Sequence, residues 1–241
     1  MQHKSSHSGR FTRITDICGK LIGMHCLLVA ATAAEISPFT EHLAKTEKLT
    51  HIDFDVDILI TGVGSVAATY ALTRYLQHKR PELIIQAGVA GCFDASIALG
   101  TVFAVQKDNF ADLGVQEKTG FKNLSELGLT GANEAPFKKS WLINPHTTLL
   151  KRSRLKKVSA VTVNEISTSP KRIREYQEKY QPVLETMEGA ALHYVCLQEN
   201  ISFMQVRSVS NQVGIRNKNK WDLPLAIGHL NQVLVRLLEG L

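Results

Sequence analysis

The segments CLLVAA (26–31), DVDILITGVG (55–64) and ELIIQAGVAG (82–91) are apolar almost without interruption, and each closes on small residues or glycines. This constrains the chain most. A strand wetted on one face alternates polar and apolar residues. Runs that do not alternate need cover on both faces, the condition of a sheet between layers of helices. The first two runs lead into segments of helical spacing, 35–45 with Pro38 near its first turn and 65–79. Further along, 101–113 reads as strand and loop, and 158–166 as strand. A helix follows over 169–180, with Ser169 as cap and Pro170 at its first position. Segment 186–200 reads as an amphipathic helix, 202–214 as a strand running into a loop, and 223–241 as a closing helix. Residues 114–150 are rich in Gly, Asn and Pro and weakly periodic, which reads as a long loop flanking a site or an interface. The expected fold is a single α/β domain, a mostly parallel twisted central sheet flanked by helices.

At 241 residues, 44% hydrophobic and 21% charged, the chain is long enough to bury a large core without staples. The net charge of +6 raises the question of nucleic acid. The densest basic cluster, Lys151, Arg152, Arg154, Lys156 and Lys157, has no aromatic interleaving, so it reads as solvated surface. The four cysteines, Cys18, Cys26, Cys92 and Cys196, form no C-x-x-C pair and read as reduced, mostly buried thiols of a cytoplasmic protein. The nine histidines show no metal-ligand spacing, so neither metal nor cofactor is expected. Residues 1–20 are polar and basic and precede an apolar run, which mimics a secretory signal. The basic region is long for a signal, and the reading taken is a disordered or mis-started extension over 1–23, with the folded domain spanning 24–241. No stretch reaches the roughly 20 apolar residues of a membrane span.

Ligands of open α/β sheets collect beyond the carboxyl ends of strands. Glu35, Gly62–Gly64, Gly88–Gly91 and Asn211 all follow predicted strands, so they are expected on one edge as one site. The segment ITGVGSVAA has Ala67 where a dinucleotide fingerprint needs its third glycine, and no acidic residue follows at the right distance. Close backbone approach to a small ligand fits these glycines better, beside the plain alternative of tight strand-to-helix turns. Glu35 also has a plain alternative, an ordinary first-turn carboxylate favoured by the helix dipole.

The segments TMEGAAL (186–192) and RSVSN (207–211), in this order after a first strand leading to Glu35, resemble the purine nucleoside phosphorylase and nucleosidase superfamily from about Met24 to Leu241. The likeness is greatest to its hydrolase branch, the methylthioadenosine/adenosylhomocysteine nucleosidases and the futalosine hydrolases. The resemblance implies a nucleoside phosphorylase-like fold, a small nucleoside as partner rather than nucleic acid or membrane, and a homodimer or larger homo-oligomer. It implies that Glu188 binds ribose hydroxyls, Met187 packs on the ribose, and Arg207 orients Glu35 or water. Glu35 deprotonates the water. Val89, Ala90 and Gly91 floor the sugar, while Ile166 and Ser167 meet the purine edge, Ile166 replacing an aromatic residue that stacks on the base.

Two departures sharpen the expectation. Phosphorylases of this superfamily carry a phosphate-binding Arg where this chain has Gln86, and a Thr or Ser hydroxyl where it has Val89. Without that charge and hydroxyl a phosphate dianion lacks its partners, so water becomes the nucleophile. Adenine-cleaving members carry an acid where this chain has Asn211. An amide cannot protonate the base, but it donates to a 6-oxo group or accepts from a ring nitrogen, according to its orientation. Hypoxanthine is then the expected leaving group, and the resemblance implies futalosine hydrolysis to hypoxanthine and dehypoxanthine futalosine, a step of menaquinone synthesis. The alternatives are a methylthioadenosine, adenosylhomocysteine or aminofutalosine nucleosidase, and a nucleoside-binding protein without turnover.

Overall fold

The computed structural model describes residues 25–46 and 55–240. The expected extension over 1–23, Met24 and Cys18 lie outside the described residues. The strands are β1 (His25–Ala30), β2 (Asp55–Ile60), β3 (Leu83–Cys92), β4 (Val102–Asp108), β5 (Gly114–Glu117), β6 (Gly120–Asn123), β7 (Leu142–Ile143), β8 (Lys156–Thr162), β9 (Leu184–Thr186) and β10 (Ser202–Gln212). The helices are α1 (Ala33–Thr46), α2 (Ser65–Leu76), α3 (Thr147–Arg152), α4 (Pro170–Tyr180), α5 (Gly189–Gln198) and α6 (Leu223–Gly240).

The sheet is mixed and closes on itself, which corrects the expectation of a mostly parallel twisted sheet. Its order is β10-β4-β8-β9-β3-β1-β2, and β10 also pairs with β3, so β3, β10, β4, β8 and β9 form a ring. Parallel pairings join β1 to β2 and β3, β3 to β10, and β8 to β4 and β9. The β10–β4, β3–β9 and β4–β7 pairings are antiparallel. The cause lies in β3. Its first half, Leu83–Gln86, pairs with β1, while Gly91 and Cys92 at its far end pair with Glu185 and Leu184 of β9 on that same edge. One ten-residue strand thus serves an open sheet at one end and a barrel at the other. A buried apolar run looks the same whichever way its neighbours point, so pattern alone misses this.

The core follows the architecture. Leu28, Ile85, Met204 and Val206 face α1 and α6. Leu27, Ile84 and Phe203 face Leu72 of α2 and Leu192 of α5. Ala90, Cys92, Phe103, Val105, Val158, Ala160, Leu184 and Val209 fill the ring from all its strands. Cys26, Cys92 and Cys196 are free and buried, as expected, and burial pushes the Cys26 thiol up to about 12. The basic cluster at 151–157 is mostly exposed. Segment 114–150 is more regular than expected, holding the β5–β6 hairpin, β7 and the start of α3. Asp222 caps α6, its Oδ1 accepting from Leu225 N at 2.9 Å. No described helix is long and apolar enough to cross a membrane.

Candidate active site

Glu35 is the third residue of α1 and 8% exposed. Its two carboxylate oxygens have separate duties. Oε2 accepts from Thr32 N (3.0 Å) and Thr32 Oγ1 (3.2 Å), the reach-back of a capping box. Oε1 turns the other way and accepts from Val89 N at 3.0 Å. One oxygen thus keeps the plain first-turn role, and the other reaches the backbone of β3.

α1 starts two residues before the expected 35, which puts Pro38 inside the helix. Proline has no N–H to give and crowds the preceding turn. The ladder opens there, and Asn231 of α6 enters the gap. Its Oδ1 accepts from Phe39 N (3.0 Å), and its Nδ2 donates to Glu35 O (2.8 Å) and Ile227 O (2.7 Å). A side chain from the last helix thus replaces a helical hydrogen bond at Glu35, and it does so 3% exposed.

Arg207 comes from β10 and is 1% exposed. Nη2 donates to Gln86 Oε1 at 2.6 Å and lies 3.8 Å from Glu188 Oε2. Gly88 makes room for it: a Cβ there would collide with Arg207 Nη1 and stand 2.9 Å from Glu35 Oε1. Arg207 thus lies beside Glu188 and, across Gly88, close to Glu35. Gln86 is its anchor, 1% exposed on the neighbouring strand.

Glu188 is not in α5, as expected, but immediately before it, at the N-cap, and its carboxylate makes no cap bond to its own helix. The first N–H groups are met instead by Thr186 Oγ1, from Gly189 at 3.3 Å, and by Thr162 Oγ1, from Ala190 at 2.7 Å. Behind them Thr162 donates to Asp108 Oδ1 at 3.0 Å. Glu188 is therefore spared for other partners, and its Oε1 accepts from Gly64 N at 2.9 Å. Gly64 holds φ 98°, which favours glycine, so the loop after β2 brings a backbone donor to a carboxylate. Ser65 Oγ donates to Met187 O at 3.1 Å and ties the same loop to that segment.

Asp108, the last residue of β4, is fully buried. Burial pushes its carboxyl up to about 6 against the bonds from Thr162 and Asn109 N. Gln205 and Asp108 Oδ2 crowd Gly189. His193 Nδ1 donates to Leu142 O (3.0 Å) in the same buried region, and burial pulls its pKa down to about 4.

Asn211 ends β10 past a bulge and stands opposite Gly91 of β3. Ser210 Oγ lies 2.9 Å from Asn211 Oδ1, and Asn211 Nδ2 donates to Gln212 O at 3.0 Å. Gln212 O can only accept, so the amide atom facing it is the nitrogen, which orients the Asn211 amide. Nδ2 has a second N–H, and Nδ2 lies 3.5 Å from where a Cβ on Gly91 would stand. Ser167 is 1% exposed, and its N–H donates to Glu185 Oε1 at 3.1 Å. Ile166 is 39% exposed beside it. The Ala90 side chain packs among the buried residues of the ring; its carbonyl lies 3.3 Å from Ser210 Oγ. Among the described residues no group of three or more His, Cys, Asp or Glu is placed to hold a metal.

Sequence reasoning missed Gln86 as an anchor, Asn231, Glu185 and Asp108. Asn231 left a signal, a polar residue on the apolar stripe of α6 between Leu230 and Val233.

The sequence matches the phosphorylase superfamily over residues 25–239. It is 29% identical to the futalosine hydrolase of Thermus thermophilus over 182 residues, 75% of this chain and 80% of that protein. It is 24% identical to the 5′-methylthioadenosine/S-adenosylhomocysteine nucleosidase of Bacillus subtilis over 229 residues, 90% of this chain and 99% of that protein. The fold is similar to the native structure of futalosine hydrolase of Helicobacter pylori strain 26695, with TM-score 0.75 and 14% identity over 91% of this chain and 99% of that one.

Proposed function

The chain belongs to the phosphorylase superfamily, and on that premise we propose that it is an N-glycosyl hydrolase that splits the base from a purine nucleoside with water, futalosine being the substrate and hypoxanthine the leaving base. The observation that carries this is the Gln86–Arg207 pair. Where phosphorylases of the superfamily place a phosphate-binding Arg, this chain has a neutral amide, already engaged at 2.6 Å by Arg207. That amide adds no charge for a dianion.

The steps use the chain's own groups. Glu188 Oε2 accepts from the ribose hydroxyls, its other oxygen being held by Gly64 N. As the bond from the anomeric carbon to the base breaks, its electron pair passes to the purine. The sugar gains positive charge near the Glu188 carboxylate. Water attacks the anomeric carbon and gives its proton to Glu35 Oε1. General-base action of this kind contributes on the order of 10²–10⁴. The free N–H of Asn211 Nδ2 donates to the departing purine and suits a 6-oxo group, whereas a 6-amino group would present donor to donor.

An adenine-cleaving nucleosidase is the second reading, favoured by the longer span, 90% of this chain, of the Bacillus subtilis likeness. Phosphate-free incubation with futalosine, inosine and methylthioadenosine, with chromatography of free base, separates the readings. Hypoxanthine from futalosine alone is expected. Adenine from methylthioadenosine would leave the nucleosidase assignment standing and remove Asn211 as the base selector. Asn211→Asp is expected to move activity toward adenine substrates. A homo-oligomer completes the proposal: Val63, Val66 and Tyr70 at the start of α2 are 57%, 81% and 66% exposed, suited to burial against a second copy. Light scattering of wild type and Val66→Asp tests it, and a monomeric wild type would contradict it.

A further inference from the structure

Three buried side chains behind Glu188 take part in no step above. Asp108 of β4, Gln205 of β10 and His193 of α5 are each 0% exposed. Asp108 Oδ2, both amide atoms of Gln205 and His193 Nε2 have no hydrogen-bond partner of good geometry. Unpaired polar atoms gathered in one buried region are costly and need a reason. Gln205 lies between the other two and bears on the titration of both. A Cβ on Gly189 would collide with Gln205 Nε2 and Asp108 Oδ2, so the missing side chain right after Glu188 lets that pair pass against the head of α5.

The remaining atoms of the acid and the ring are already assigned. Leu142 O can only accept, so His193 Nδ1 carries the hydrogen of a neutral ring and Nε2 is a lone pair. Asp108 Oδ1 accepts from Thr162 Oγ1 (3.0 Å) and Asn109 N (2.8 Å), which leaves Oδ2 for Gln205. If Gln205 Nε2 serves Oδ2, its Oε1 meets the ring lone pair, acceptor against acceptor. A charged ring would mend that contact, but it would add a fully buried cation near Arg207. Turned over, the amide gives Nε2 to the ring, and Oε1 needs the donor that a protonated Oδ2 supplies. The two orientations of an amide have the same shape. Charge favours the second. Arg207 is the one buried Lys or Arg among the described residues, and it already stands near Glu188 and Glu35.

We propose that Asp108, Gln205 and His193 form one hydrogen-bonded chain, Asp108 Oδ2–H to Gln205 Oε1 and Gln205 Nε2–H to His193 Nε2, and that this chain positions Glu188. The reach to Glu188 runs through α5. Thr162 Oγ1 takes the Ala190 N–H and lies 3.0 Å from Thr186 Oγ1, which takes the Gly189 N–H. Asp108 anchors the threonines from β4, and His193 ties the next turn of α5 to β7. Glu188 at the head of α5 is thereby directed without a cap bond of its own. The titrations agree. Burial pushes Asp108 up to about 6 and pulls His193 down to about 4, so the acid and the neutral ring coexist between those values. Arg207 of β10 is the charged group that bears on both, while β8 brings Thr162, β7 the Leu142 carbonyl and the end of β4 the Asn109 N–H. Above about 6 the proton leaves and one contact of the chain becomes a mismatch.

The inference rests on the nucleosidase reading only for what Glu188 does, so its test needs no turnover. Infrared spectra, and NMR of isotope-labelled histidine rings, are recorded on the full chain between the two values. Expected are the carbonyl stretch of a protonated carboxylic acid that Asp108→Asn removes, and a His193 ring whose Nε2 is a hydrogen-bonded lone pair, identified by its loss in His193→Phe. Asp108→Asn keeps that ring signal, because its amide donates to Gln205 as the acid did. Absence of the acid band, or a His193 Nε2 that carries the hydrogen or accepts nothing, overturns the chain. Glu188 is read through the Gly64 amide proton that its Oε1 accepts. That proton should shift in Gln205→Leu but not in Asp108→Asn. Should Gln205→Leu fail to fold, pH serves instead: raised through the Asp108 transition, it should move the Gly64 amide in wild type more than in Asp108→Asn. A Gly64 amide that responds to neither overturns the positioning role. Futalosine hydrolysis is scored separately. In Gln205→Leu kcat/KM is expected to fall by up to about 10²-fold, the cost of a group misplaced by about 1 Å, and in Asp108→Asn to stay within a few-fold of wild type. A wild type that cleaves nothing while the spectra behave as stated would sink the hydrolase reading and leave this one. Cleavage with silent spectra does the reverse.

Discussion

In the proposed site the sugar end and the base end are built differently. At the sugar end each named charged group is tied to the protein. Glu35 is held by Thr32, Val89 and, through its backbone, Asn231. Arg207 is held by Gln86, and Glu188 by Gly64. At the base end the ties are fewer: Asn211 Nδ2 donates to Gln212 O and keeps a second N–H. The difference teaches where the preorganisation sits. Groups that act on water and ribose are locked in advance, which lowers the cost of reaching the transition state. Groups that choose the base are left for the base itself to satisfy. Chemistry and choice of substrate should therefore be separable by mutation.

Glu35→Gln should make the sharpest break. The amide keeps one of the two acceptor oxygens and takes no proton from water, so kcat is expected to fall by about 10²–10⁴. Hypoxanthine binding, measured by calorimetry, should stay within a few-fold of wild type. Loss of base binding in step with kcat would erase the division between the two ends.

Asn231→Leu comes next. It removes both bridging bonds and leaves Glu35 O and Phe39 N unpaired next to Pro38. Each orphaned group costs about 1–3 kcal/mol, so the melting temperature should drop clearly. Below that temperature kcat should suffer more than KM, because Glu35 shifts while the base end does not. A rise in KM with kcat unchanged would contradict the assignment of Asn231 to the sugar end.

The smallest effect concerns Asp108, which backs the threonines under α5. Its carboxyl is pushed up to about 6, so the folded protein holds that proton more tightly than the unfolded chain does. Stability from this group is greatest below about 4 and is lost as pH rises to about 6, with a slope of at most about 1.4 kcal/mol per pH unit. Asp108→Asn stays neutral, so its melting temperature relative to wild type should climb across that window and then level off. His193, pulled down to about 4, contributes the opposite slope in both proteins and cancels in the comparison. A flat difference would show that Asp108 is ionised when folded.

The sugar end was the more legible in sequence, and the reason is physical. Glu35, Arg207 and Glu188 are charged residues at the ends of apolar runs, where burial without purpose is expensive, so they stand out. Asn211 stood out likewise, though its amide orientation needed the contact to Gln212 O. Glu185 did not, because β9 is three residues long and disappears into the approach to a helix. Ring closure escaped for a similar reason: the β3–β9 pairing involves only Gly91 with Glu185 and Cys92 with Leu184. Asn231 acts on a helix 192 positions away from it, at Phe39, a relation that no local pattern carries.

The central claim is that water, not phosphate, attacks the sugar. Base release from futalosine should be followed with and without inorganic phosphate, and the sugar product weighed by mass spectrometry. An unchanged rate and a free sugar bearing a hydroxyl at the anomeric carbon are expected. A rate that requires phosphate, with a sugar 1-phosphate as product, would contradict the account at its root.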